Sequence, residues 1–305
     1  MPLVSVIIPT FNRAHLIERA IESVRQQTFQ DWECLVVDDH STDNTKEFIE
    51  KYKSKDSRIK YFINERTKGA NGARNTGIIH AKGIYISFLD SDDCWHRNML
   101  EKQMEKYMSD PSISCVYSKI QTIVNENDKH PWDIFKDLQG NIYKEVLIQG
   151  YMSPTITLSV EKKCFEKIGM FDTTLPACQD DDMCFRLAKE FKIGFIPEIL
   201  ADVYANSDNR ISDNPDKVSL GWWMLWNKYE ADVLEYCGEK VMAKHYKECL
   251  HHFSHANNVK MSWKAYRKFS YFGGSLSKRK KIWFIIYFIS GGRIQYITKK
   301  IQNKL

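Results

Sequence analysis

Two carboxylates with the spacing of a divalent-cation site follow an apolar segment near residue 90. The segment F-L-D-S-D-D ends that apolar run and presents Asp90 and Asp92 two positions apart. Mg²⁺ and Mn²⁺ prefer carboxylate oxygens and keep coordination positions for water and phosphate, so two Asp suffice where a diphosphate completes the shell. The pattern D-x-D occurs often by chance. Its place directly after an apolar run makes it a candidate metal site.

Three other polar clusters carry groups that could bind a ligand. They comprise Pro9, Thr10, Asn12 and Arg13; Asp38, Asp39, Ser41 and Asp43; and Asp180, Asp181 and Asp182. Each cluster also has a purely structural explanation, because Ser41 or Asp43 can cap a helix and acids suit the positive end of a helix dipole. Loops at the carboxyl ends of parallel strands meet in one crevice, however. Several polar loops at that edge favour a binding site over ordinary turns.

The elements that would position these residues alternate along the first hundred positions. Apolar runs rich in Val, Ile, Phe and Tyr predict strands at 4–8, 33–37, 59–63 and 84–89. Apolar residues at every third or fourth position predict helices at 14–27, 43–52 and 73–81. The alternation predicts a Rossmann-like α/β fold, with a mostly parallel central sheet and helices on both faces. Later patterns predict strands at 114–124 and 156–160, helices at 161–168 and 180–191, and a helical region after about 214.

Five segments occur in an order that resembles one enzyme family. They are V-S-V-I-I-P-T-F-N-R at 4–13, V-V-D-D-H-S-T-D at 36–43, G-A-R-N-T-G-I at 72–78, F-L-D-S-D-D at 88–93 and G-M-F-D at 169–172. Over roughly residues 3–212 the chain resembles the family 2 glycosyltransferases. The resemblance implies a GT-A fold, a nucleotide-diphosphate sugar donor such as a UDP-sugar, a Mn²⁺ or Mg²⁺ ion, and inversion at the anomeric carbon.

The same resemblance implies roles for individual residues. Around the donor they are Pro9, Thr10, Asn12 and Arg13 at the nucleoside, Asp39 at the uracil ring nitrogen, Arg74 and Arg210 near the diphosphate, Asp90 at the ribose or a metal-bound water, Ser91 beside it, and Asp92 on the metal itself. Ser212 is a neighbouring alternative to Arg210. Without the family context, Arg74 could equally form a surface ion pair.

The family's catalytic base lies in a Glu-Asp pair at the start of a helix. Here Q-D-D-D-M-C-F-R-L at 179–187 aligns Asp180 with the base, and Gln179 replaces the usual Glu. Asp181 is the rival candidate, whereas the alignment makes Asp182, Phe185 and Leu187 structural. A carboxylate in this place would take the proton of an acceptor hydroxyl.

The charged residues are distributed unevenly along the chain. From residue 260 to 305 there are twelve Lys or Arg and no acid, so residues 1–259 carry 32 bases and 39 acids, a net charge of −7. The longest apolar run of this tail, 282–289, is far shorter than the roughly 20 residues that span a bilayer. A basic aromatic tail favours contact with an anionic membrane surface. The alternative is that 282–289 is a buried helix or strand. Nucleic acid is disfavoured because no recognition motif accompanies the tail.

These patterns predict a GT-A domain at 1–213, with a nucleotide-sugar half (1–110) and an acceptor and catalytic-base half (111–213), followed by a helical region at 214–305. The eight cysteines form no CxxC pair and no secretory stretch opens the chain, which predicts a cytoplasmic protein, peripheral on the inner face of the membrane. Four histidines, His245, His251, His252 and His255, are predicted to line a solvated helix face rather than a zinc site.

The predicted activity is metal-dependent, inverting transfer of one hexosyl or N-acetylhexosaminyl unit from a UDP-sugar. The resemblance implies a hydroxyl acceptor on a polyprenyl-diphosphate-linked glycan of O-antigen or capsule synthesis. The processive synthases of the family carry a Q-x-x-R-W motif that this chain lacks. The alternatives are a GDP- or dTDP-sugar donor, a nucleotide-sugar binding module without turnover, and a peripheral membrane scaffold.

Overall fold

The computed structural model describes residues 1–125, 127–132, 137–205 and 213–289. Two compact units divide the chain. The first unit comprises 1–146, 151–173 and 179–208, and the second comprises 147–150, 174–178 and 209–305. The boundary at residue 213 stays a prediction.

The first unit is built on one sheet whose strands, within the described residues, run in the order β3-β2-β1-β4-β8-β6-β9-β5, with β7 paired to β6. The strands are β1 (Val4–Thr10), β2 (Trp32–Asp38), β3 (Ile59–Ile63), β4 (Tyr85–Phe88), β5 (Cys94–Trp95), β6 (Ile113–Asn125), β7 (Asp128–Pro131), β8 (Ser159–Glu161) and β9 (Lys192–Tyr204). The helices up to residue 190 are α1 (Ile17–Arg25), α2 (Thr45–Lys55), α3 (Ala70–His80), α4 (Met99–Ser109), α5 (Tyr143–Gln149), α6 (Cys164–Ile168) and α7 (Gln179–Glu190). The predicted α/β class is confirmed.

Strands β1 to β4 are parallel, and the apolar runs of β1 and β2 are explained by burial on both faces. Every residue of β1 and β2 is buried. On one face, α1 packs the row Ile17, Ala20, Ile21 and Val24 into the core. Because parallel strands joined by helices point the same way, the carboxyl ends of β1, β2 and β4 lie at one edge.

Five of these elements had no counterpart in the sequence patterns: α4, α5, β5, β7 and β9. Helix α4 lies between β5 and β6, and the 13-residue strand β9 runs parallel to β6. Pro197 and Glu198 interrupt the apolar run of β9, and a Pro within a run argues against a strand. The sheet accommodates the interruption by a shift of register between β6 and β9. Ser118 pairs with Ile196, and Lys119 pairs with Ile199, so Pro197 and Glu198 have no partner in this ladder.

The second unit is helical, as predicted for the residues after 214. Its helices are α8 (Pro215–Lys228), α9 (Glu230–Tyr236), α10 (Glu239–His255), α11 (Val259–Tyr271) and α12 (Lys278–Ile289). None of the helices in the described ranges is both long and apolar enough to cross a membrane.

The prediction of a solvated histidine face on α10 is wrong for His245. This side chain is fully buried, its ring stacks on Trp226 with 3.6 Å between centroids, and its Nε2 lies 2.8 Å from the carbonyl oxygen of Leu147. His251 and His255 are exposed, as expected. His245 falls on the same helix face as the buried residues Met242 and Cys249, so helical position rather than polarity decides its burial.

Candidate active site

The polar loops predicted to bind a ligand lie together at the carboxyl edge of the parallel strands. Thr10 is the last residue of β1 and faces Asp38, the last residue of β2, across the ladder. The backbone N–H of Asp39 then donates to the carbonyl of Thr10 at 2.8 Å. The first two polar clusters therefore leave the sheet side by side.

Asp38 ties these two loops to each other. Its Oδ1 accepts hydrogen bonds from the backbone N–H and hydroxyl of Ser41, at 2.9 and 2.6 Å, and its Oδ2 accepts from the hydroxyl of Tyr61 at 2.7 Å. The Ser41 hydroxyl oxygen in turn accepts from the backbone N–H of Asn12 at 2.8 Å. Asn12 has a left-handed backbone (φ 52°), which Asn tolerates better than most residues. The carboxylate of Asp38 thus shapes the loop that carries Asn12 and Arg13.

Asp39 is buried at the same edge of the sheet. Its Oδ1 accepts from Nδ2 of Asn64 at 2.6 Å, and its Oδ2 accepts from the backbone N–H of Gly69 at 2.8 Å. Each carboxylate oxygen has two lone pairs, so both can accept one further donor. Asn64 was missed by the sequence reasoning although it directly follows β3, the position that singled out the other loops.

Arg13 brings the first loop to the D-S-D turn. Its Nη2 lies 3.8 Å from Oδ2 of Asp92, and both side chains are largely buried. Nearby, Pro9 is buried within β1. The hydroxyl of Thr10 is buried and has no hydrogen-bond partner among the described residues. Residues predicted to surround a nucleoside and a residue predicted to hold the metal are therefore adjacent.

Arg74 lies inside the site rather than on the surface. Its side chain is 6% exposed, and Nη2 donates to Oδ1 of Asp90 at 2.7 Å. The guanidinium carbon also lies 5.5 Å from the ring centroid of Phe171, within the range of a cation–π contact. Its Nε–H is buried and has no partner within the described chain. This arginine thus retains one buried donor beyond the ion pair.

Two of the motif segments are joined by side-chain hydrogen bonds across a long stretch of sequence. The amide of Asn75 donates to the carbonyl of Phe171 and accepts from its backbone N–H, both at 2.9 Å. Nδ2 of Asn71 donates to the carbonyl of Asp172 at 3.1 Å. The G-M-F-D turn is therefore fixed against α3, which places the Phe171 ring beside Arg74. The sequence reasoning assigned no role to Asn71, Asn75 or Phe171.

Asp180 lies in the first turn of α7, half-buried and within electrostatic reach of the same ion pair. Burial raises the pKa of its carboxyl above the usual range, Arg74 opposes that rise, and the negative charge of Asp90 adds to it. The structure thus brings together Arg74, Asp90 and Asp180.

Asp181 and Asp182 differ from Asp180 in their surroundings. Burial, followed by the charges of Asp180 and Asp182, raises the pKa of Asp181 well above its usual range, and Arg74 does not contribute. Asp182 is fully buried and forms an ion pair with Arg186 at 2.8 Å, one helical turn away. Phe185 and Leu187 are also fully buried, so the predicted structural character of these three positions is confirmed.

The D-S-D-D turn offers two carboxylates to a cation. The side chain of Asp90 is 33% exposed and that of Asp92 is 16% exposed, whereas Ser91 and Asp93 are buried. Asp93 accepts the backbone N–H of Tyr204 at 3.0 Å, which fastens the turn to the end of β9. Within the described ranges, no group of three or more His, Cys, Asp or Glu could hold a metal. Two hard oxygen ligands fit Mg²⁺ or Mn²⁺ where a diphosphate supplies further oxygens. Arg210 and Ser212 lie outside the described residues.

Gly72 in the G-A-R-N segment is required by crowding. A Cβ there would lie 1.7 Å from the carbonyl oxygen of Thr67 and 3.2 Å from Nδ2 of Asn64. We expect Gly72→Ala to lower the free energy of unfolding by about 1–3 kcal/mol, because the backbone must shift to admit the methyl group. Ile79→Ala, at an exposed site on the same helix, is the control and should change it by less than about 0.5 kcal/mol. Urea unfolding of both variants measures the difference, and equal stability of the two would contradict the crowding argument.

The fold and the site together define a GT-A glycosyltransferase. Residues 5–163, just over half of the chain, match the family model described as glycosyl transferase family 2. The chain belongs to this family, as the five motif segments predicted.

Relatives and solved structures agree with this assignment. TuaG of Bacillus subtilis, a glycosyltransferase assigned to teichuronic acid biosynthesis, is 32% identical over 230 residues, which cover 75% of this chain and 89% of TuaG. WfgD of Escherichia coli, a UDP-Glc:α-D-GlcNAc-diphosphoundecaprenol β-1,3-glucosyltransferase, is 46% identical over 125 residues, which cover 41% of this chain and 48% of WfgD. The S. aureus TarS 1-349 crystal structure in complex with UDP-GlcNAc superposes with a TM-score of 0.68 at 20% identity, over 88% of this chain and 80% of that one, and shows the common fold.

Proposed function

We propose that this glycosyltransferase moves one hexosyl or N-acetylhexosaminyl unit from a UDP-sugar to a hydroxyl of a lipid-linked glycan, with inversion. The observation that carries the proposal is the meeting of Arg74, Asp90 and Asp180 at the carboxyl edge of the sheet. One cation, one exposed carboxylate and one candidate base in one crevice are what a displacement at a sugar diphosphate requires.

Asp180 serves as the base in this proposal. An acceptor hydroxyl has a pKa far above 7, so its proton must be removed as the new bond to the sugar forms. Burial raises the pKa of Asp180, which makes its carboxylate a stronger proton acceptor than an exposed Asp. The positive charge of Arg74 opposes that rise in the pKa. Inversion follows if the hydroxyl approaches the sugar from the side opposite the departing diphosphate.

Arg74 stabilises the diphosphate in this proposal. Arg74 is buried, and buried donors interact with developing charge more strongly than exposed ones because water competes less. Its partnerless Nε–H is a donor that an anionic ligand can satisfy. Asp92 and Asp90 would hold a Mn²⁺ or Mg²⁺ ion, which when bound neutralises charge on the leaving group.

Asp39 selects the nucleoside. With Asn64 and Gly69 already donating to its two oxygens, the carboxylate is fixed in orientation yet retains acceptor capacity. A uracil ring presents an imide N–H that such an oxygen can accept. The pocket is completed by Pro9, Thr10, Asn12 and Arg13, and Ser91 lies between the two carboxylates of the D-S-D turn.

The activity of WfgD supports both the donor and the acceptor of this proposal. That protein takes UDP-Glc and an acceptor on diphosphoundecaprenol, and the matched segment is 46% identical. An acceptor of that kind places the enzyme at the inner face of a bacterial membrane, in surface polysaccharide synthesis such as O-antigen or capsule. The basic tail is then the element expected to contact the lipid surface.

Calorimetric titration with UDP, GDP and dTDP, each with and without Mn²⁺, tests the proposed donor. We expect UDP to bind most tightly, and its affinity to rise in the presence of the metal because the ion offsets diphosphate charge. Tighter binding of GDP or dTDP would replace the UDP-sugar with another donor. Absence of binding by all three would overturn the proposed site and leave the fold without this activity.

A further inference from the structure

Two aromatic rings of α12 pack within the helical unit. Phe284 and Tyr287 of α12 are buried, and the ring of Phe284 lies 4.7 Å from that of Tyr266 and 6.2 Å from that of Trp263 on α11. Part of the run 282–289 therefore packs within the helical unit. Contact of this region with a lipid surface requires a helix face that is open to solvent.

Helix α11 presents such a face to solvent. Its exposed positions lie within about 120° of the helix circumference, whereas Ser262, Ala265 and Phe269 on the opposite side are buried. We name the exposed set the α11 face. It consists of Lys260, Trp263, Lys264, Arg267, Ser270 and Tyr271.

The α11 face combines unneutralised positive charge with aromatic rings. Within the described chain, Lys260, Lys264 and Arg267 form no ion pair, whereas Lys268 at the edge of the face is paired with Glu230. Trp263 remains 40% exposed and Tyr271 is 80% exposed. No acid occurs between residues 260 and 305, so nothing within this stretch of chain offsets these bases.

We propose that the α11 face is the surface by which the protein docks on an anionic lipid bilayer. Basic side chains gain free energy beside anionic headgroups, and Trp and Tyr rings favour the level of the headgroups. Bases and rings on one face can engage that interface at the same time. The purpose of this docking rests on the proposed lipid-linked acceptor, but the docking itself requires no donor and no transfer.

Sedimentation of the full-length protein with vesicles tests the surface. The probe is a phosphatidylcholine vesicle with and without phosphatidylglycerol. We expect binding only when the anionic lipid is present. Lys264→Glu/Arg267→Glu should weaken it by about 25-fold or more, because each lost base costs about fivefold. Tyr271→Ala, a nearly fully exposed site, should weaken it less. Lys46→Glu/Lys51→Glu on α2 makes the same charge change at exposed positions and should leave binding unchanged.

Three results would overturn the proposal. They are wild-type binding by the α11 double variant, equal binding to vesicles without phosphatidylglycerol, and release by Lys280→Glu/Lys281→Glu on α12 while the α11 variant stays bound. Tighter binding to a single-stranded oligonucleotide than to vesicles would reassign the face to nucleic acid. Sugar transfer to a water-soluble acceptor, measured in parallel, separates the two proposals. A variant that no longer docks should retain this transfer. A wild-type protein that is inactive with every donor would refute the proposed function but not the docking surface.

Discussion

Replacing Asp180 with Asn is expected to slow sugar transfer by about 100- to 10,000-fold while donor binding stays near that of the wild type. Asn has nearly the same shape as Asp but cannot accept the proton of the acceptor hydroxyl, so only general-base catalysis is lost. In the proposed site, donor affinity depends on Asp39 and Arg74 rather than on Asp180. Single-turnover transfer and calorimetric titration of UDP, made on the same preparation, measure the two quantities.

Asp181→Asn is the matched control for this prediction. Asp181 is adjacent, half-buried and identical in chemistry, but the charge of Arg74 acts on Asp180 and not on Asp181. Its substitution should change the rate by much less than that of Asp180. Near-normal transfer by Asp180→Asn together with loss in Asp181→Asn would assign the base to Asp181.

The pH dependence of transfer gives a second readout for the same residue. A base works only when it is ionised, so the rate of the wild type should fall as the pH drops through the pKa of Asp180. Because burial raises that pKa, the decline should begin at a higher pH than for an ordinary Asp. The residual activity of Asp180→Asn should lose this acid limb, whereas a substitution that only disturbs packing should keep it.

Replacing Asp92 with Ala is expected to abolish the increase in UDP affinity that Mn²⁺ produces, a loss of about tenfold or more. Asp92 is one of the two carboxylates predicted to hold the ion, and its contact with Arg13 at 3.8 Å is long for an ion pair. Its removal should therefore affect the metal more than the fold. Titration of UDP with and without Mn²⁺ measures the effect, and thermal unfolding checks that the variant is folded.

Asp39→Asn separates the metal from the nucleoside. This substitution should weaken UDP binding by a similar factor whether or not Mn²⁺ is present, because Asp39 lies on the nucleoside side of the crevice and is bonded to Asn64 and Gly69. The effect of Mn²⁺ on UDP affinity should therefore be lost in Asp92→Ala and retained in Asp39→Asn. Unchanged metal dependence in Asp92→Ala would remove this residue from the metal site.

Much of the nucleotide-sugar half could be predicted from sequence because its signals are local. A strand buried on both faces must be apolar along its length, and β1 and β2 are. The missed strand β9 shows where this reasoning ends. Its apolar run contains Pro197, and its pairing depends on a change of register against β6, which the residues of β9 do not encode by themselves.

Some residues of the site could be predicted from local sequence signals and others could not. Position after a strand was enough to single out Asp39, Asp90 and Asp92, and the same rule could have found Asn64. Family resemblance was needed for Arg74 and Asp180, because neither follows a strand. Phe171, whose ring contacts Arg74, is held by Asn75 across 96 positions, and neither residue carries a local signal.

By itself the sequence determined the α/β class, the order of the motif segments and the family, because periodicity and strand-end loops follow from interactions between near neighbours. Only the tertiary structure decided which polar residues face the same crevice and which are buried elsewhere. Arg74, Asp90 and Asp180 meet because strand and helix ends converge there, whereas His245 is buried by Trp226 and the carbonyl of Leu147. Burial and charge pairing are properties of contacts between distant segments, which the chain makes only once the sheet and the helices have packed.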